Sequence, residues 1–326
     1  MSKAEVARAD QREVKIMSTV AGSSVPTPLN QPATAGVGKR RGVWIDAWRL
    51  LRKKPSFVVS LAVIAFLMLM AIAPALFTSG DPNHGVLAKS LQPPSAESWF
   101  GYDVNGRSVW TRIVYGTRAS LTVGFACTVG TTLLGGLLGA IAAYKGGVVD
   151  TVISRIADML LGIPFILGAI IVLSTMTDFN SSTWKIETII IVTIIVFGWP
   201  TIARVLRSTV LTARSADYTL AGHVLGLSSS RILVRHILPN AIAPVIVLST
   251  MRVSGYIATE ASLSYLGLGL HAPAVSWGQM VSDGQPYLRT SAYVLLYPSL
   301  FLALTILAFV LAGEALRKAI DPTNRR

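Results

Sequence analysis

The fold of this chain is constrained most by its long apolar runs, which shorter polar segments separate. Residues 57–77 carry no charge and, as a helix rising about 1.5 Å per residue, would cross a hydrocarbon core of ~30 Å. Five similar runs follow, at residues 121–144, 159–177, 188–203, 241–264 and 292–313. Because only helices and closed barrels satisfy their backbone groups within lipid, these runs predict an all-α polytopic membrane protein with six transmembrane helices.

Composition and charge agree with a membrane protein. The 326 residues are 52% hydrophobic and 14% charged, with a mean hydropathy of +0.57. A net charge of +13 would suggest a nucleic-acid partner for a soluble protein. Here Lys and Arg are concentrated in segments on the side of both chain ends, such as 39–54 and 204–235, which predicts cytoplasmic N- and C-termini. The basic excess therefore predicts a lipid bilayer as partner and no nucleic acid.

The chain before the first apolar run divides into two parts. Residues 1–42 are rich in Ser, Thr, Pro, Gly and Ala without periodicity, which predicts a disordered cytoplasmic tail. Residues 43–56 combine Trp and Leu with Arg and Lys, which is typical of an interfacial elbow helix. Residues 57–326 are predicted to form the transmembrane domain.

A polar, basic segment at residues 217–240 separates the fourth and fifth apolar runs. Apolar residues at helical spacing, a break at Gly226 and serines at 228–230 predict a helix, a turn and a second helix, which Pro239 ends. Two helices this short are marginal in water alone. We therefore expect their apolar faces to dock on the rest of the chain or on another protein.

Four blocks of the sequence point to one family. The first is the segment 217–240, with Gly226 followed by His236-Ile237-Leu238-Pro239-Asn240. The others are GYDVNGRSVWTRIVYGTRASLTVG at 101–124, EASLSYLGLG at 260–269 and AGEALRKAIDP at 312–322. Together they resemble the C-type permease subunit of ATP-binding-cassette (ABC) importers of dipeptides and oligopeptides, whose "EAA" coupling loop has the same Gly-to-Pro interval. Leu220-Ala221-Gly222 replaces the Glu-Ala-Ala of that loop, and the alternative for this segment is a generic cytoplasmic loop of another transporter.

The resemblance implies a type I ABC importer permease fold in a bacterial cell membrane. Such a permease is a non-catalytic subunit that forms half of a peptide pathway, with a sister permease, two ATPase domains and an extracytoplasmic binding protein as partners. ATP and Mg²⁺ would bind to the ATPases, so no cofactor is expected in this chain. The residues expected to couple to the ATPases are Tyr218, Leu220, Ala221, Gly222, Leu225, Gly226, Arg231, Arg235, His236, Leu238 and Pro239.

Other functions stay open at this point. The same branch of importers includes nickel permeases, so nickel or another small solute is an alternative substrate. An ATP-independent secondary transporter or channel is a rival from another class, and an intramembrane enzyme or scaffold is a third. The sequence lacks the GxxxxGK[ST], HExxH and GxSxG motifs, and its histidines have no metal-ligand spacing, so neither a catalytic nor a metal site is predicted.

Two charged residues, Arg252 and Glu260, interrupt the fifth apolar run. A charge within a bilayer costs about 2.5 to 3.5 kcal/mol, so each is expected to face a bundle interior or a wet cavity. Their separation along a helix, about 12 Å, argues against a mutual ion pair. With Ser264, Tyr265 and Trp277 they are candidates for the translocation pathway and outer gate. Alternatively, Glu260 lies at the outer interface and caps local structure.

Residues 107–124 predict a separate amphipathic helix along the outer interface. Val109, Ile113 and Val114 would share its apolar face, whereas Arg112 and Thr117 would lie on the other side. Asp103, just before this helix, is predicted to form a turn.

Small residues and prolines give further expectations for the spans. Gly135 and Gly139 have the spacing that lets two membrane helices approach closely, either within this chain or with a second subunit. Pro164 and Pro200 predict kinks in the third and fourth spans. Cys127 lies in an apolar run and is interpreted as a small packed side chain.

Overall fold

A computed structural model describes residues 48–177, 181–270 and 272–320 of the chain. Within these ranges the regular structure is helical and no β-strand forms, apart from an isolated antiparallel bridge between Tyr102 and Ser108. The predicted all-α architecture is therefore confirmed. The predicted tail, 1–42, and the first part of the predicted elbow helix, 43–47, lie outside the described residues.

Long helices dominate the described chain. Five of them are long and apolar enough to cross a membrane, or six crossings result if one bent pair counts as a span. The long helices are α1 Pro55–Ile72, α2 Val109–Lys145, α5 Thr183–Arg214, α8 Leu238–Tyr265 and α10 Tyr293–Ile320, and the bent pair is α3 Gly147–Gly162 and α4 Phe165–Met176. The shorter helices are α6 Asp217–Val224, α7 Ser229–Ile232 and α9 Trp277–Gly284. A π-helical turn, Leu233–Ile237, joins α7 to α8.

The predicted third span, 159–177, is wrong as a single helix. Helix α3 ends at Gly162, α4 begins at Phe165, and the two are bent by 86°. Proline has no N–H to continue a helix and disfavours the helical conformation in the residue before it. Accordingly Ile163 is extended, with φ −86° and ψ 124°. Pro164 therefore breaks the segment completely, whereas α5 continues through Pro200.

The predicted interfacial helix at 107–124 is also wrong, because this segment is the start of α2. The helix runs without a break for 37 residues, and the Ser108 hydroxyl caps it by accepting a hydrogen bond from the Thr111 N–H at 3.4 Å. The two residues predicted for its polar side are buried: Arg112 is only 2% exposed and Thr117 is fully enclosed. The amphipathic pattern wrongly predicts a surface helix here because another part of the chain covers its polar side.

Two glycines let α2 and α5 pack closely. A Cβ atom on Gly135 would lie 2.5 Å from the Trp199 carbonyl oxygen, and one on Gly139 would lie 2.5 Å from the Ala203 carbonyl oxygen. Both neighbours are backbone atoms, which a small side-chain movement cannot clear. The glycine pair thus packs within this chain, and it holds together the two longest helices of the bundle.

The bundle has two ends with different structures. Helices α2 and α5 begin at the end that holds Trp277 and finish at the end that holds the segment 217–240, and α8 runs back between them. We call these the Trp277 end and the Gly226 end. The start of α1 and the last turns of α10 both lie at the Gly226 end, where Leu51, Phe57, Ala315 and Ala319 form a buried cluster. Which end faces the cytoplasm stays a prediction.

Candidate functional site

The segment 217–240 begins as the predicted helix and turn. Helix α6 ends in a turn in which the Leu227 N–H donates to the Gly222 carbonyl at 3.1 Å. Gly226 lies in the left-handed region with φ +74°, and nothing lies within 4 Å of a Cβ added there. This geometry is typical of a glycine that closes a helix C-terminus. Gly226 is therefore required by the backbone conformation and not by crowding.

The second half of the segment differs from the prediction. Ser228 lies at the N-cap of α7 with extended backbone but makes no side-chain cap hydrogen bond. Pro239 does not end the helix: it lies in the first turn of α8, where a missing N–H is tolerated. In the π turn just before it, the Leu238 N–H donates to the Leu233 carbonyl, five residues back. The backbone hydrogen bonds thereby shift by one residue before Pro239. The chain is consequently helical from Ser229 to Tyr265.

The inner face of this segment is packed on the bundle. Ile232 and Ile237 are buried in a cluster with Ile202, Leu206 and Val210 of α5. The Arg214 guanidinium, at the end of α5, donates to the Ala143 carbonyl of α2 at 2.8 Å. These contacts hold the root of the segment against the ends of two long helices. The segment is therefore anchored on the ends of two long helices of the bundle.

The outer face carries large apolar side chains that no described part of the chain covers. Val224 is 88% exposed, Leu225 79%, Val234 64%, Leu220 56% and Tyr218 44%. The exposed basic residues of the same segment are Arg231, Arg235 and His236. An apolar patch with a polar rim is typical of a protein interaction site. We call this surface the coupling face.

Most of the predicted coupling residues contribute to this surface. The exposed ones are Tyr218, Leu220, Ala221, Leu225, Gly226, Arg231, Arg235, His236 and Pro239. Leu238 is half-buried. Gly222 is buried, and a Cβ there would lie 3.2 Å from the Ile232 side chain, so this residue positions the helix and does not face outwards.

A second group of predicted residues meets around Glu260 at the Trp277 end. The Glu260 carboxylate is fully buried and accepts hydrogen bonds from the Ser264 hydroxyl at 2.8 Å and the Ser120 hydroxyl at 3.2 Å. The Ser120 hydroxyl in turn accepts a hydrogen bond from the backbone N–H of Trp277 at 3.4 Å. The carboxylate thus joins α8 to α2, and through Ser120 to α9.

Trp277 completes this junction. Its side chain is fully buried, and the indole N–H donates to the Ile113 carbonyl of α2 at 3.1 Å. Two other predicted pathway residues lie apart from it. Tyr265 is 40% exposed. Arg252 comes earlier in α8 than Glu260 and is half-buried, with no hydrogen bond or ion pair to any described residue.

Comparisons with known proteins decide the family. Residues 135–326 match the binding-protein-dependent transport system inner membrane component, and residues 42–94 match the N-terminal TM domain of oligopeptide transport permease C. The chain belongs to this family of ABC importer permeases. Over 310 residues it is 36% identical to the oligopeptide transport system permease protein OppC of Bacillus subtilis, covering 93% of this chain and 99% of that protein. It is 38% identical to the dipeptide transport system permease protein DppC of Alkalihalophilus pseudofirmus, covering 86% of this chain and 90% of that protein.

The solved structure of a related permease agrees with the fold. A structure of the MetNI methionine ABC transporter in an inward-facing conformation superposes with a TM-score of 0.52 at 19% identity, covering 64% of this chain and 96% of that one. At this identity the likeness concerns the fold alone. The predicted ABC importer permease fold is confirmed.

The permease also contains a charged network that the sequence did not reveal. Asp103 accepts hydrogen bonds from the N–H groups of Asn105 and Arg107, both at 2.9 Å, and from the Arg107 side chain at 2.7 Å. The buried Arg112 guanidinium lies 3.6 Å from both Asp103 and Asp283. Burial raises the pKa of Asp283, and the charge of Arg112 opposes this shift. The Asp-x-Asn-Gly-Arg spacing indicates the turn, but only the fold brings Asp283 to it.

Metal ligands are not grouped in the part of the chain that the structure describes. No cluster there of three or more His, Cys, Asp or Glu side chains could hold a metal ion. Cys127 is fully buried, as expected for a packed side chain.

Proposed function

We propose that this permease forms one half of the membrane pathway of an ATP-driven importer of dipeptides and oligopeptides. Its relatives of 36% and 38% identity are named oligopeptide and dipeptide transport permeases and are matched over 99% and 90% of their lengths. The partners are a sister permease, two ATPase domains that bind ATP and Mg²⁺, and an extracytoplasmic binding protein. The chain itself is a non-catalytic subunit without a cofactor. It lies in a bacterial inner membrane, with the Gly226 end and both termini in the cytoplasm.

The coupling face is the observation that carries this proposal. A soluble partner seated there would cover Leu225 and Val224, which are 79% and 88% exposed. Burying apolar surface contributes about 25 cal/mol per Å², so these side chains favour docking. The ATPase domains are the partners that such a permease requires at this face. Arg231, Arg235 and His236 would then contact polar residues of the ATPase domains.

The helix that follows the coupling face offers a mechanical path. Ile232 and Ile237 anchor the segment in the bundle, and the chain stays helical from there to Tyr265. When the ATPases close on ATP, they would displace the segment together with α8. That motion would reach Glu260, which is bonded to α2, and would thereby open or close the pathway at the Trp277 end. Arg252, Glu260, Ser264, Tyr265 and Trp277 are the proposed pathway and gate residues.

Reconstitution tests the proposal. The complete complex in proteoliposomes, supplied with its binding protein, should accumulate radiolabelled Ala-Phe only when ATP is present. A matched complex whose ATPases bind but do not hydrolyse ATP should accumulate none. Uptake that follows an ion gradient without ATP would instead identify a secondary transporter. Accumulation of Ni²⁺ but of no peptide would identify the alternative solute.

A further inference from the structure

A cavity at the Trp277 end is separate from the buried Glu260 junction. Its volume is about 520 Å³, and its walls include Tyr115 and Arg118 of α2, Trp184 and Glu187 of α5, and Pro273. The Asn83 side-chain amide donates to the Pro273 carbonyl at 3.0 Å, which ties together two of the loop segments that border it. This volume lies within the range of ~300–1,000 Å³ usual for small-ligand sites.

The two charged groups in this cavity have no partner among the residues that the structure describes. Arg118 is exposed and Glu187 is half-buried, and neither makes a hydrogen bond or an ion pair there. Both line the same cavity, and they do not form an ion pair with each other. Charged residues in membrane-spanning helices are costly and usually mark a function. A ligand with one positive and one negative group would satisfy both.

We propose that this cavity binds the two charged ends of a peptide, the carboxylate at Arg118 and the ammonium group at Glu187. The inference rests on the proposed function, because it takes the solute to be a peptide. A guanidinium binds a carboxylate through two parallel hydrogen bonds, which a single ammonium cannot reproduce. Tyr115 and Trp184 also line the cavity and offer aromatic surface to the peptide.

A neighbouring apolar cavity supplies room for the peptide side chains. It has a volume of about 690 Å³, shares Arg118 and Thr122 with the first cavity, and continues along α2 past Phe125 to Val129. These residues follow one another at helical spacing on one face of α2. A peptide held by its ends at the Trp277 end would therefore find an apolar surface on the way inwards.

Uptake by the reconstituted complex tests the assignment. The substitution Arg118→Gln should lower uptake of Ala-Phe about tenfold, equivalent to about 1.4 kcal/mol. It should leave uptake of Ala-Phe amide unchanged, because the amide has no carboxylate to lose. Glu187→Gln should likewise lower uptake of Ala-Phe. It should leave uptake of N-acetyl-Ala-Phe unchanged, because this peptide has no free ammonium group. The binding protein is identical in every sample, so its own selectivity cancels when each variant is compared with the unsubstituted complex.

Arg118→Lys is the matched control, since it keeps the charge but not the planar fork. It should retain more Ala-Phe uptake than Arg118→Gln. An equal loss for the free and the amidated peptide would overturn the proposal, because it would indicate that Arg118 pairs with the sister permease instead. Unchanged uptake of both peptides would overturn it as well.

Chemical labelling gives a readout that does not depend on the binding protein. A cysteine introduced by Thr122→Cys lines both cavities and should be protected from a small alkylating reagent by millimolar Ala-Phe. N-acetyl-Ala-Phe amide should not protect it, nor should Ala-Phe when Arg118→Gln is also present. Equal protection by both peptides would refute the site. If ATP-dependent peptide uptake occurs without this pattern, only the site is wrong, whereas a complete absence of such uptake would remove the proposed function itself.

Discussion

The Ser120 hydroxyl donates a hydrogen bond to the Glu260 carboxylate at 3.2 Å, although 140 positions separate the two residues in the sequence. The bond joins α2 to α8, and α8 is the helix that continues from the coupling face. The same hydroxyl accepts from the Trp277 N–H, so α9 belongs to this junction too. Glu260 thus lies where a displacement of α8 would be felt by two other helices.

Two substitutions of Glu260 should distinguish the contribution of its packing to stability from that of its hydrogen bonds. In Glu260→Leu, the buried hydroxyls of Ser120 and Ser264 lose their acceptor, and each unsatisfied group costs about 1–3 kcal/mol. We expect a clearly lower thermal unfolding midpoint for the purified complex. Glu260→Gln keeps an acceptor oxygen for one of the two hydroxyls and offers an amide N–H to the other, so its midpoint should fall less than that of the Leu variant. Equal midpoints for the Leu and Gln variants would show that these hydrogen bonds do not stabilise the junction.

Gly226→Trp tests the coupling face directly. Nothing lies within 4 Å of an added Cβ, so the indole meets no neighbour on the free chain, and the positive φ costs a non-glycine residue about 1–2 kcal/mol. The indole would project from the turn towards any docked partner. Assembly in the membrane should be nearly normal, while solute-stimulated ATP hydrolysis and uptake are lost. Gly226→Asn is the control, because Asn bears the positive φ better than other residues and remains small. Normal uptake by the Trp variant would exclude the turn from coupling.

A charge placed on the coupling face should disrupt docking without disturbing the fold. Leu225→Glu alters a side chain that is 79% exposed, so the permease itself should remain folded. At a docked interface the unpaired carboxylate costs about 2–5 kcal/mol, and ATPase co-purification should fall more than tenfold. Leu87→Glu is the matched control, since Leu87 is 77% exposed but far from this face. Similar losses in both variants would argue against a specific surface.

The sequence predicted most of the helices because their apolar runs depend only on local composition. What it could not predict depends on distant parts of the chain. Pro164 signals a disruption, but whether the result is a kink or the observed 86° bend depends on how the neighbouring helices pack. Similarly, Pro239 looks like a helix end until the π turn before it shifts the register. Arg112 looks like the polar side of a surface helix because its partner Asp283 comes from another segment.

Because α2 packs closely on α5, replacing a glycine by alanine should destabilise the protein at this contact but not at an open position. In Gly139→Ala the new Cβ would lie 2.5 Å from the Ala203 carbonyl oxygen and 3.0 Å from its Cα, so the helices must move apart. We expect a loss of about 1–3 kcal/mol, as for other overpacked sites. Gly255→Ala is the control, because nothing lies within 4 Å of its added Cβ. Thermal unfolding in detergent compares the two, and equal midpoints would contradict the packing.

The Asp103–Arg112–Asp283 network should respond unequally to the loss of each acid. Asp103 is buried and accepts three hydrogen bonds, so Asp103→Asn should cost about 3–5 kcal/mol by leaving Arg112 poorly compensated. The Asp283 side chain is 40% exposed, and burial raises its pKa, so folding disfavours the charged form of this carboxyl. Asp283→Asn removes a charge that folding penalises and should therefore cost much less than Asp103→Asn.

The raised pKa of Asp283 also predicts a pH dependence with a definite sign. Between its ordinary pKa of about 3.9 and the raised folded value, the folded state holds a proton that the unfolded chain releases. The stability contributed by this group therefore rises as the pH falls through the folded pKa and levels off below the ordinary one. Unfolding midpoints measured from neutral to acidic pH should show this rise in the unsubstituted complex relative to Asp283→Asn. A difference between the two that does not change with pH would show that the carboxyl titrates normally in the folded protein.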